Sequence, residues 1–290
     1  MNDKNIIYAA LEEFCKTGIK MDSHEIIREK DGIVLIKIKS GGNSYVFKYF
    51  DNAEYRREIK IYKILKSLDV ETVKVIASNE KSILMEDINE SETLRLGTEE
   101  DMSDPTVAKA LAKWYKKLHS AGYGYIKTYG DDFYYENSVI TKENLAFVKK
   151  KTKTSKLPVW KNIEDNFEKI ESAIKNEKYT FNYNDFYYTN LIVAKDKSKA
   201  FMFDYNLFGK GAAVSDINNV CWSLSDEAAK TFREEYGEID AKETVIEEVA
   251  SVLSSLYFAC EREEFPDWGT ELLEQLENGF DKKLKALTEL

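Results

Sequence analysis

The segment 181–204 constrains the fold of this chain more than any other part of its sequence. Within it, Asp185 is followed five positions later by Asn190, and a second aspartate, Asp204, comes fourteen positions after that. The intervening residues, 191–203, predict two short strands joined by a lysine-rich turn. Because a hairpin returns the chain to its starting point, the two aspartates and the asparagine are predicted to converge. Three oxygen-bearing side chains at one point suit a Mg²⁺ ion.

A second β-hairpin is predicted over residues 33–50, with its turn at residues 40–43. Lys48 lies in the middle of the returning strand. The next stretch, 54–65, has apolar side chains at helical spacing and contains Glu58. A strand lysine paired with a helix glutamate is the ion pair that kinases place near nucleotide phosphates. We therefore predict an ion pair between these two side chains.

Further segments in the same order extend the pattern along the chain. Residues 82–88 predict a strand that runs into a polar connection, and a helix containing residues 111–122 is expected to end near its Leu-His pair. The second aspartate is followed by a glycine-bearing loop at 209–211, and Asp216 opens another predicted helix. This ordered set resembles the aminoglycoside phosphotransferase and choline kinase family of small-molecule kinases, over about residues 24–225.

By this resemblance Asp185 is expected to be the catalytic base, which accepts the proton of the acceptor hydroxyl. Asn190 and Asp204 would hold Mg²⁺ on the phosphates of ATP or GTP. Asp216 would brace the catalytic loop rather than touch substrate. The function implied is transfer of the γ-phosphoryl group of a nucleotide to a hydroxyl of a small molecule.

The resemblance also implies a nucleotide-binding set in the first part of the chain. Lys48 would contact the α and β phosphates, and Glu58 would orient it. The backbone from Glu86 to Ile88 would hydrogen-bond the purine, with the Met85 side chain packed beside it.

The fold implied is a two-lobe, protein kinase-like α+β fold with a β-rich N-terminal lobe and a larger, mostly helical C-terminal lobe. Residues 1–88 would form the nucleotide-binding lobe, with a leading helix over 1–22. Residues 89–290 would form the catalytic and substrate-binding lobe, and the polar stretch 89–104 is the predicted hinge. Apolar spacing in the second lobe predicts two amphipathic helices, over residues 160–174 and 245–260.

Two positions depart from the family pattern. Tyr183 stands where the family usually has a histidine, and only Asp31-Gly32 is available as a turn over the phosphates. A tyrosine can fill the space and donate a hydrogen bond, and one glycine can form a tight turn. A nucleotide-binding pseudokinase that acts as a sensor or scaffold therefore stays open as an alternative. A protein kinase is disfavoured, because Asn184 replaces the arginine of its catalytic motif and the chain has no Ala-Pro-Glu triplet.

Charge is distributed unevenly along the chain, whose formal net charge is −10. Residues 226–290 contain 18 acidic and 7 basic residues. Nucleic acid is therefore not expected as a partner, because phosphate contacts need Lys and Arg. A negative field favours a cationic substrate, although a solvated face on solubilising helices has the same composition. The basic run at 149–156 is expected to be an exposed helix end or loop.

A short segment around Pro266 combines carboxylates with two aromatic side chains at a predicted helix break. Its carboxylates could bind ammonium groups and its indole could offer a cation–π face. Alternatively, Phe265 and the indole fasten the last helices together. The candidate substrate residues are Glu261, Glu263, Glu264, Asp267 and Trp268. Aminoglycosides, choline, ethanolamine and other amino alcohols all fit such a site, and both ATP and GTP are open as donors.

Three scattered cysteines favour a reducing, cytoplasmic environment. Only two histidines are present and no HExxH motif occurs, so the chain has few residues from which to build a zinc site or a Ser-His-Asp triad. His119 is expected to be a packing or capping residue. No apolar run approaches the ~20 residues of a membrane span, and the start of the chain lacks the form of a signal peptide. No membrane partner is therefore expected, and the oligomeric state is open.

Overall fold

The computed structural model describes residues 3–290, with side chains from residue 6 onward. The chain divides into two compact units. The first unit consists of Met1–Ala121, Asp185–Phe208 and Val220–Tyr236, and the second of Gly122–Asn184, Gly209–Asn219 and Gly237–Leu290.

The strands, in chain order, are β1 (Ser23–Lys30), β2 (Ile33–Ser40), β3 (Asn43–Phe50), β4 (Val75–Ser78), β5 (Ser82–Glu86), β6 (Leu94–Leu96), β7 (Tyr134–Tyr135), β8 (Thr180–Asn182), β9 (Leu191–Ala194), β10 (Ala200–Met202) and β11 (Gly209–Gly211). The helices are α1 (Asp3–Cys15), α2 (Arg57–Ser67), α3 (Pro105–Tyr129), α4 (Lys142–Lys151), α5 (Val159–Asp165), α6 (Phe167–Lys175), α7 (Ala213–Ser223), α8 (Asp226–Tyr236), α9 (Ala241–Glu261), α10 (Asp267–Asn278) and α11 (Phe280–Thr288).

The first unit contains an antiparallel sheet with the strand order β1-β2-β3-β5-β4. The predicted hairpin at residues 33–50 is confirmed, because β2 pairs with β3 in an unbroken register that closes at Ser40 and Asn43. Its two loop residues, Gly41 and Gly42, both have positive φ, of 56° and 82°. A two-residue hairpin turn of this kind needs positive φ at both positions, which glycine adopts without strain.

Helix α1 covers one face of this sheet, with Ala10 and Phe14 buried against β2 and β3. The predicted leading helix over 1–22 is wrong in its length, because α1 ends at Cys15 and β1 begins at Ser23. Gly18, at φ 73°, takes the left-handed conformation that terminates helices. Met1 and Asn2 lie outside the described residues.

A second, three-stranded sheet in the first unit has the order β10-β9-β6. The hairpin predicted at residues 191–203 is confirmed by the pairing of β9 with β10. The stretch 89–104 was predicted as a polar connection, but it contains β6, which pairs with β9. Arg95, the polar residue at the centre of β6, donates two hydrogen bonds of 2.7 Å to the Asp101 carboxylate, which neutralises its charge within the strand. Leu94 and Leu96, on either side of Arg95, are partly buried.

Helix α3 extends to Tyr129, so the predicted helix end near Leu118 and His119 is wrong. Gly122 lies inside the helix, where a Cβ atom would come within 2.3 Å of the Thr180 hydroxyl. The glycine therefore serves close packing in the second unit rather than termination. His119 is buried, and its Nδ1 lies 2.8 Å from the Tyr236 hydroxyl, as expected for a packing residue.

The second unit is mostly helical, with α9 packed against α4, α6, α10 and α11. The helix predicted over residues 245–260 is confirmed by α9. The helix predicted over 160–174 is two helices, α5 and α6, separated at Asn166. The Asn166 side chain donates to the Asn162 carbonyl at 2.8 Å, and such local bonding competes with helix continuation. Of the helices within residues 3–290, none is both long and apolar enough to cross a membrane.

Candidate active site

Lys48 is the centre of an ion-pair cluster in the first unit. Its Nζ lies 2.6 Å from Glu58 Oε2 and 2.8 Å from Asp204 Oδ1. The side chain of Lys48 is 3% exposed and that of Glu58 is 0% exposed, whereas Asp204 is 24% exposed. The predicted pair of strand lysine and helix glutamate is therefore present. The sequence did not suggest Asn206, whose Oδ1 lies 3.5 Å from the same Nζ.

Burial and charge act in opposite directions on this cluster. Burial on its own would lower the pKa of Lys48, but the charges of Glu58 and Asp204 outweigh it, and the pKa of Lys48 is raised. Burial raises the pKa of Glu58 to about 7, despite the opposing charge of Lys48. The ammonium group therefore stays protonated, and it supplies a fixed positive charge next to the partly exposed Asp204 carboxylate.

The hairpin of β9 and β10 brings the three motif residues to one place. The Phe203 N–H donates to the Asn190 carbonyl at 3.0 Å, so Asp204 follows directly after the residue paired with Asn190. The Asn190 Nδ2 donates to Asp185 Oδ2 at 3.0 Å and to the Asp185 carbonyl at 3.2 Å. Asp204 has φ 62°, a left-handed conformation that aspartate tolerates better than most residues. The predicted convergence is thus seen in the geometry.

The donor set at this point fits a divalent cation. Burial raises the pKa of Asp185, and the negative charge of Asp204 raises it further. A cation would relieve this repulsion between two carboxylates. The Asn190 amide nitrogen is already used as a donor, so its oxygen is the atom of this side chain that could bind a metal. Two carboxylates and an amide oxygen are hard ligands of the kind Mg²⁺ binds. Within the described part of the chain, no group of three or more His, Cys, Asp or Glu side chains is arranged to hold a metal.

Asp216 braces the backbone that leads into Asp185. In the second unit, the N–H groups of Tyr183 and Asn184 donate to the two Asp216 carboxylate oxygens at 2.8 and 3.1 Å. Asp216 and Tyr183 are both buried, and Asn184 has φ 63°. A non-glycine residue in this conformation needs its surroundings to hold it. The two hydrogen bonds that this carboxylate accepts provide that restraint immediately before the predicted base.

The predicted purine-contacting segment lies at the end of β5. Met85 is buried and pairs with Val46 in β3. The Glu86 N–H donates to the Lys74 carbonyl at 3.0 Å, so this donor is already used. The strand stops at Glu86 rather than at Ile88, and Ile88 opens a short 3₁₀ turn with a buried side chain.

Asp87, a residue that the sequence did not single out, holds the turn after β5 in place through its side-chain contacts. Its carboxylate accepts a hydrogen bond from Ser44 Oγ at 2.7 Å and lies 3.0 Å from Lys37 Nζ. Burial opposes its ionisation, but the bonds from the hydroxyl and the ammonium group hold the pKa of Asp87 below its usual value. The turn after β5 is therefore tied to β2 and β3, and the signal in the sequence was only an aspartate after a buried strand.

The predicted acceptor-binding segment lies in the second unit, at the end of α9 and the start of α10. Its carboxylates are exposed, and Trp268 is 38% exposed. The guanidinium of Arg262 lies 5.6 Å from the centre of the Trp268 ring. The cation–π face that we expected a ligand to use is therefore already in contact with a cation of the chain itself. The four carboxylates are those of Glu261, Glu263, Glu264 and Asp267.

A different set of carboxylates in the second unit is buried or partly buried, and sequence reasoning missed it. Burial raises the pKa of Glu136 to about 7, and that of Glu177 and of Glu247 to about 8. Burial also raises the pKa of Glu243, which lies one turn before Glu247 on α9. The charges of Glu243 and Glu247 act on Glu177, and that of Glu136 acts on Glu247. The signal in the sequence was that two glutamates interrupt the buried apolar stripe of α9.

Several solved structures have this fold. They include the macrolide 2′-phosphotransferase of Brachybacterium faecium, with a TM-score of 0.62, 14% identity and coverage of 93% of this chain and 98% of that chain. The choline kinase of Streptococcus pneumoniae gives a TM-score of 0.57 at 14% identity, over 98% of this chain and 99% of that one. An ADP and spectinomycin complex of a spectinomycin phosphotransferase gives 0.52 at 16% identity, over 97% and 98%.

These similarities establish the fold. No protein family and no curated protein matches the sequence, and the identities of the structural neighbours are low. The predicted two-lobe, protein kinase-like α+β fold is confirmed. The predicted resemblance to aminoglycoside phosphotransferases and choline or ethanolamine kinases is confirmed at the level of structure.

Proposed function

We propose that this chain transfers the γ-phosphoryl group of ATP or GTP to a hydroxyl group of a small cationic molecule. The observation that carries the proposal is the arrangement in the first unit, where Lys48 bridges Glu58 and Asp204 while Asp185 is hydrogen-bonded to Asn190. Phosphoryl transfer needs positioning and charge stabilisation rather than covalent chemistry, and this set supplies both. The names of the structural neighbours, which are phosphotransferases, support the same reaction class.

Asp185 is the proposed general base. Its burial disfavours its charged form, so transfer of a proton from the acceptor hydroxyl relieves a cost that the free carboxylate bears. The Asn190 amide holds the carboxylate in one orientation. A residue in this role typically accelerates a reaction about 10²- to 10⁴-fold.

Lys48 is the proposed phosphate ligand. It stays protonated, and the fully buried Glu58 keeps its ammonium group in place while the phosphates compete with Asp204 for it. Asn190 and Asp204 would hold Mg²⁺, which when bound neutralises charge on the transferred phosphoryl group. The backbone around Ile88 is the proposed purine contact.

The proposal of a cationic acceptor rests on the buried carboxylates of the second unit. Glu243 and Glu247 are less than one-tenth exposed. Besides burial, the charges of Glu136 and Asp216 raise the pKa of Glu247. Besides burial, the charge of Asp240 raises the pKa of Glu243, and that of Lys178 acts in the opposite direction. Burying a charge is costly, and an opposite charge of a ligand offsets that cost. An ammonium-bearing alcohol is therefore the acceptor class that this unit favours. The exposed segment 261–268 is a second candidate for the same contact.

The experiment is a coupled assay of nucleoside diphosphate release with Mg²⁺ and either ATP or GTP, against aminoglycosides, choline, ethanolamine and uncharged sugars. We expect release that depends on a cationic acceptor. Asp185→Asn should lower turnover by about 10²-fold or more while nucleotide affinity stays unchanged. Asp131→Asn, at an exposed position, is the matched control and should behave like the wild type.

The two acceptor candidates are separated by Glu247→Gln and Glu263→Gln. If the buried carboxylates bind the acceptor, the first variant raises the acceptor KM and the second does not. Turnover retained in Asp185→Asn would refute the assignment of the base. Nucleotide binding without release for any acceptor would instead support the pseudokinase alternative.

A further inference from the structure

A cavity of about 890 Å³ lies in the first unit, and it is separate from the cluster around Lys48. Its walls come from α2, β4, α3 and the connection between α2 and β4. None of the five main residues of the candidate active site lines it; these are Lys48, Glu58, Asp185, Asn190 and Asp204. Its size falls within the range of about 300–1,000 Å³ that is typical of small-molecule sites.

Lysines dominate the charged lining of this cavity, although the whole chain has a net charge of −10. Two of its lysines are paired with the only carboxylates in the lining. Lys117 lies 2.6 Å from Asp69, and Lys199 lies 2.8 Å from Glu71. The others have no carboxylate within ion-pair distance among the described side chains; they are Lys63, Lys66, Lys74 and Lys113. The cavity therefore has an excess of positive charge that the chain does not neutralise.

The cavity lining also contains buried apolar side chains. Val73, Ile83 and Trp114 are buried. The Trp114 indole N–H donates to the Glu71 carbonyl at 2.8 Å, which fixes the ring. Ile76, on the edge strand β4, also lines the cavity and is 39% exposed, a high value for a large aliphatic side chain. The cavity thus combines an apolar floor with a cationic margin.

We propose that this cavity binds a small organic polyanion with an apolar or aromatic body. The body would cover the apolar floor, and two or more anionic groups would reach the lysines of α2 and α3. Two lining residues, Ile59 and Tyr62, lie one and four positions after Glu58 on α2. Occupancy of the cavity therefore stabilises the helix that carries the partner of Lys48.

The test uses bis-ANS, a dianilinobinaphthyl disulfonate whose fluorescence increases on binding apolar surfaces, as the probe. The wild-type chain should bind it saturably at one site, and added salt should weaken binding because the lysines are exposed. Lys66→Ala combined with Lys113→Ala should weaken binding about tenfold. The matched control, Lys81→Ala with Lys116→Ala, removes two exposed lysines that do not line the cavity and should keep the wild-type affinity.

Hydrogen exchange locates the probe independently of its affinity. Bound bis-ANS should slow amide exchange in α2 and in residues 110–117 of α3. Since all four substituted lysines are exposed, each variant should melt within a few degrees of the wild type, so a loss of affinity is not a loss of fold. Equal affinity in all three proteins, an equal loss in the control, protection confined to other segments, or no saturable binding would overturn the proposal.

Discussion

Removing Glu58 alone should destabilise the chain strongly, whereas removing it together with Lys48 should not. In Glu58→Leu, a lysine that is 3% exposed keeps Asp204 as its one charged partner among the described residues, at 2.8 Å. Breaking a buried ion pair from one side typically costs 3–5 kcal/mol. The remaining carboxylate places the cost at the lower end, about 3 kcal/mol. For a chain of this size that corresponds to a fall in Tm of roughly 6–12 °C.

In the double variant Lys48→Met with Glu58→Leu, two apolar side chains of similar volume replace the pair. Such replacements are often neutral or stabilising by about 1–4 kcal/mol. Asp204 loses its ammonium partner but is 24% exposed, so water can solvate it. We therefore expect the double variant to melt within a few degrees of the wild type. It should still lose phosphoryl transfer, because the charge proposed to meet the phosphates is gone.

The measurement is thermal unfolding, followed by circular dichroism and calorimetry, of both single variants and the double variant. Lys117→Met is the control, because its pair with Asp69 is exposed and surface pairs contribute little. The double-mutant cycle should show strong coupling between the two sites. If the loss in the double variant equals the sum of the single losses, or if Glu58→Leu costs no more than the control, the reasoning is refuted.

Three further predictions concern stability and the loop before the base. Asp216→Asn leaves one of the two N–H groups of Tyr183 and Asn184 without its charged acceptor, so it should cost about 1–3 kcal/mol, and their amide exchange should speed up. Glu247→Gln should melt higher than the wild type at alkaline pH. In the wild type, the pKa of Glu247 is about 8 in the folded chain, which is above its value in the unfolded chain. Protonated Glu247 therefore contributes stability that is fully present below pH ~4.5 and is lost as the pH rises through 8. A pH series of melting curves should therefore show equal Tm values at acid pH, and an unchanged difference across the series would contradict this. Gly97→Ala should lower Tm, because a Cβ atom there would lie 2.6 Å from a backbone oxygen.

Both hairpins could be predicted from the sequence because neighbouring residues in the chain determine each of them. Alternating apolar residues and a two-glycine turn specify the register of β2 and β3 without reference to the rest of the chain. The same locality allowed the convergence of Asp185, Asn190 and Asp204 to be expected, since a short hairpin brings its two ends together. Adjacent strands in a hairpin leave few alternative pairings.

The errors came where a distant partner decides the local structure. The strand β6 forms because β9, almost a hundred residues later, offers an edge for pairing. Within the stretch 89–104, the polar composition resembled that of a linker, and the sequence did not show that Asp101 would neutralise Arg95 at the centre of the strand. Gly122 was expected near a helix end, but its role is the close approach of Thr180. Spacing along one segment carries no information about such partners.

The sequence showed an acidic final segment but did not distinguish its exposed carboxylates from its buried ones. Burial separates them, because a buried carboxylate without a cation is expensive, whereas an exposed one is not. The carboxylates of 261–268 are solvated, so their number says little about a ligand. Glu243 and Glu247 bear the cost of burial, which raises the pKa of both carboxyl groups although Lys178 acts against it at Glu243. A cation bound beside them would offset this cost. The proposal of a cationic acceptor therefore rests on the location of two glutamates on α9, and not on the net charge of the chain.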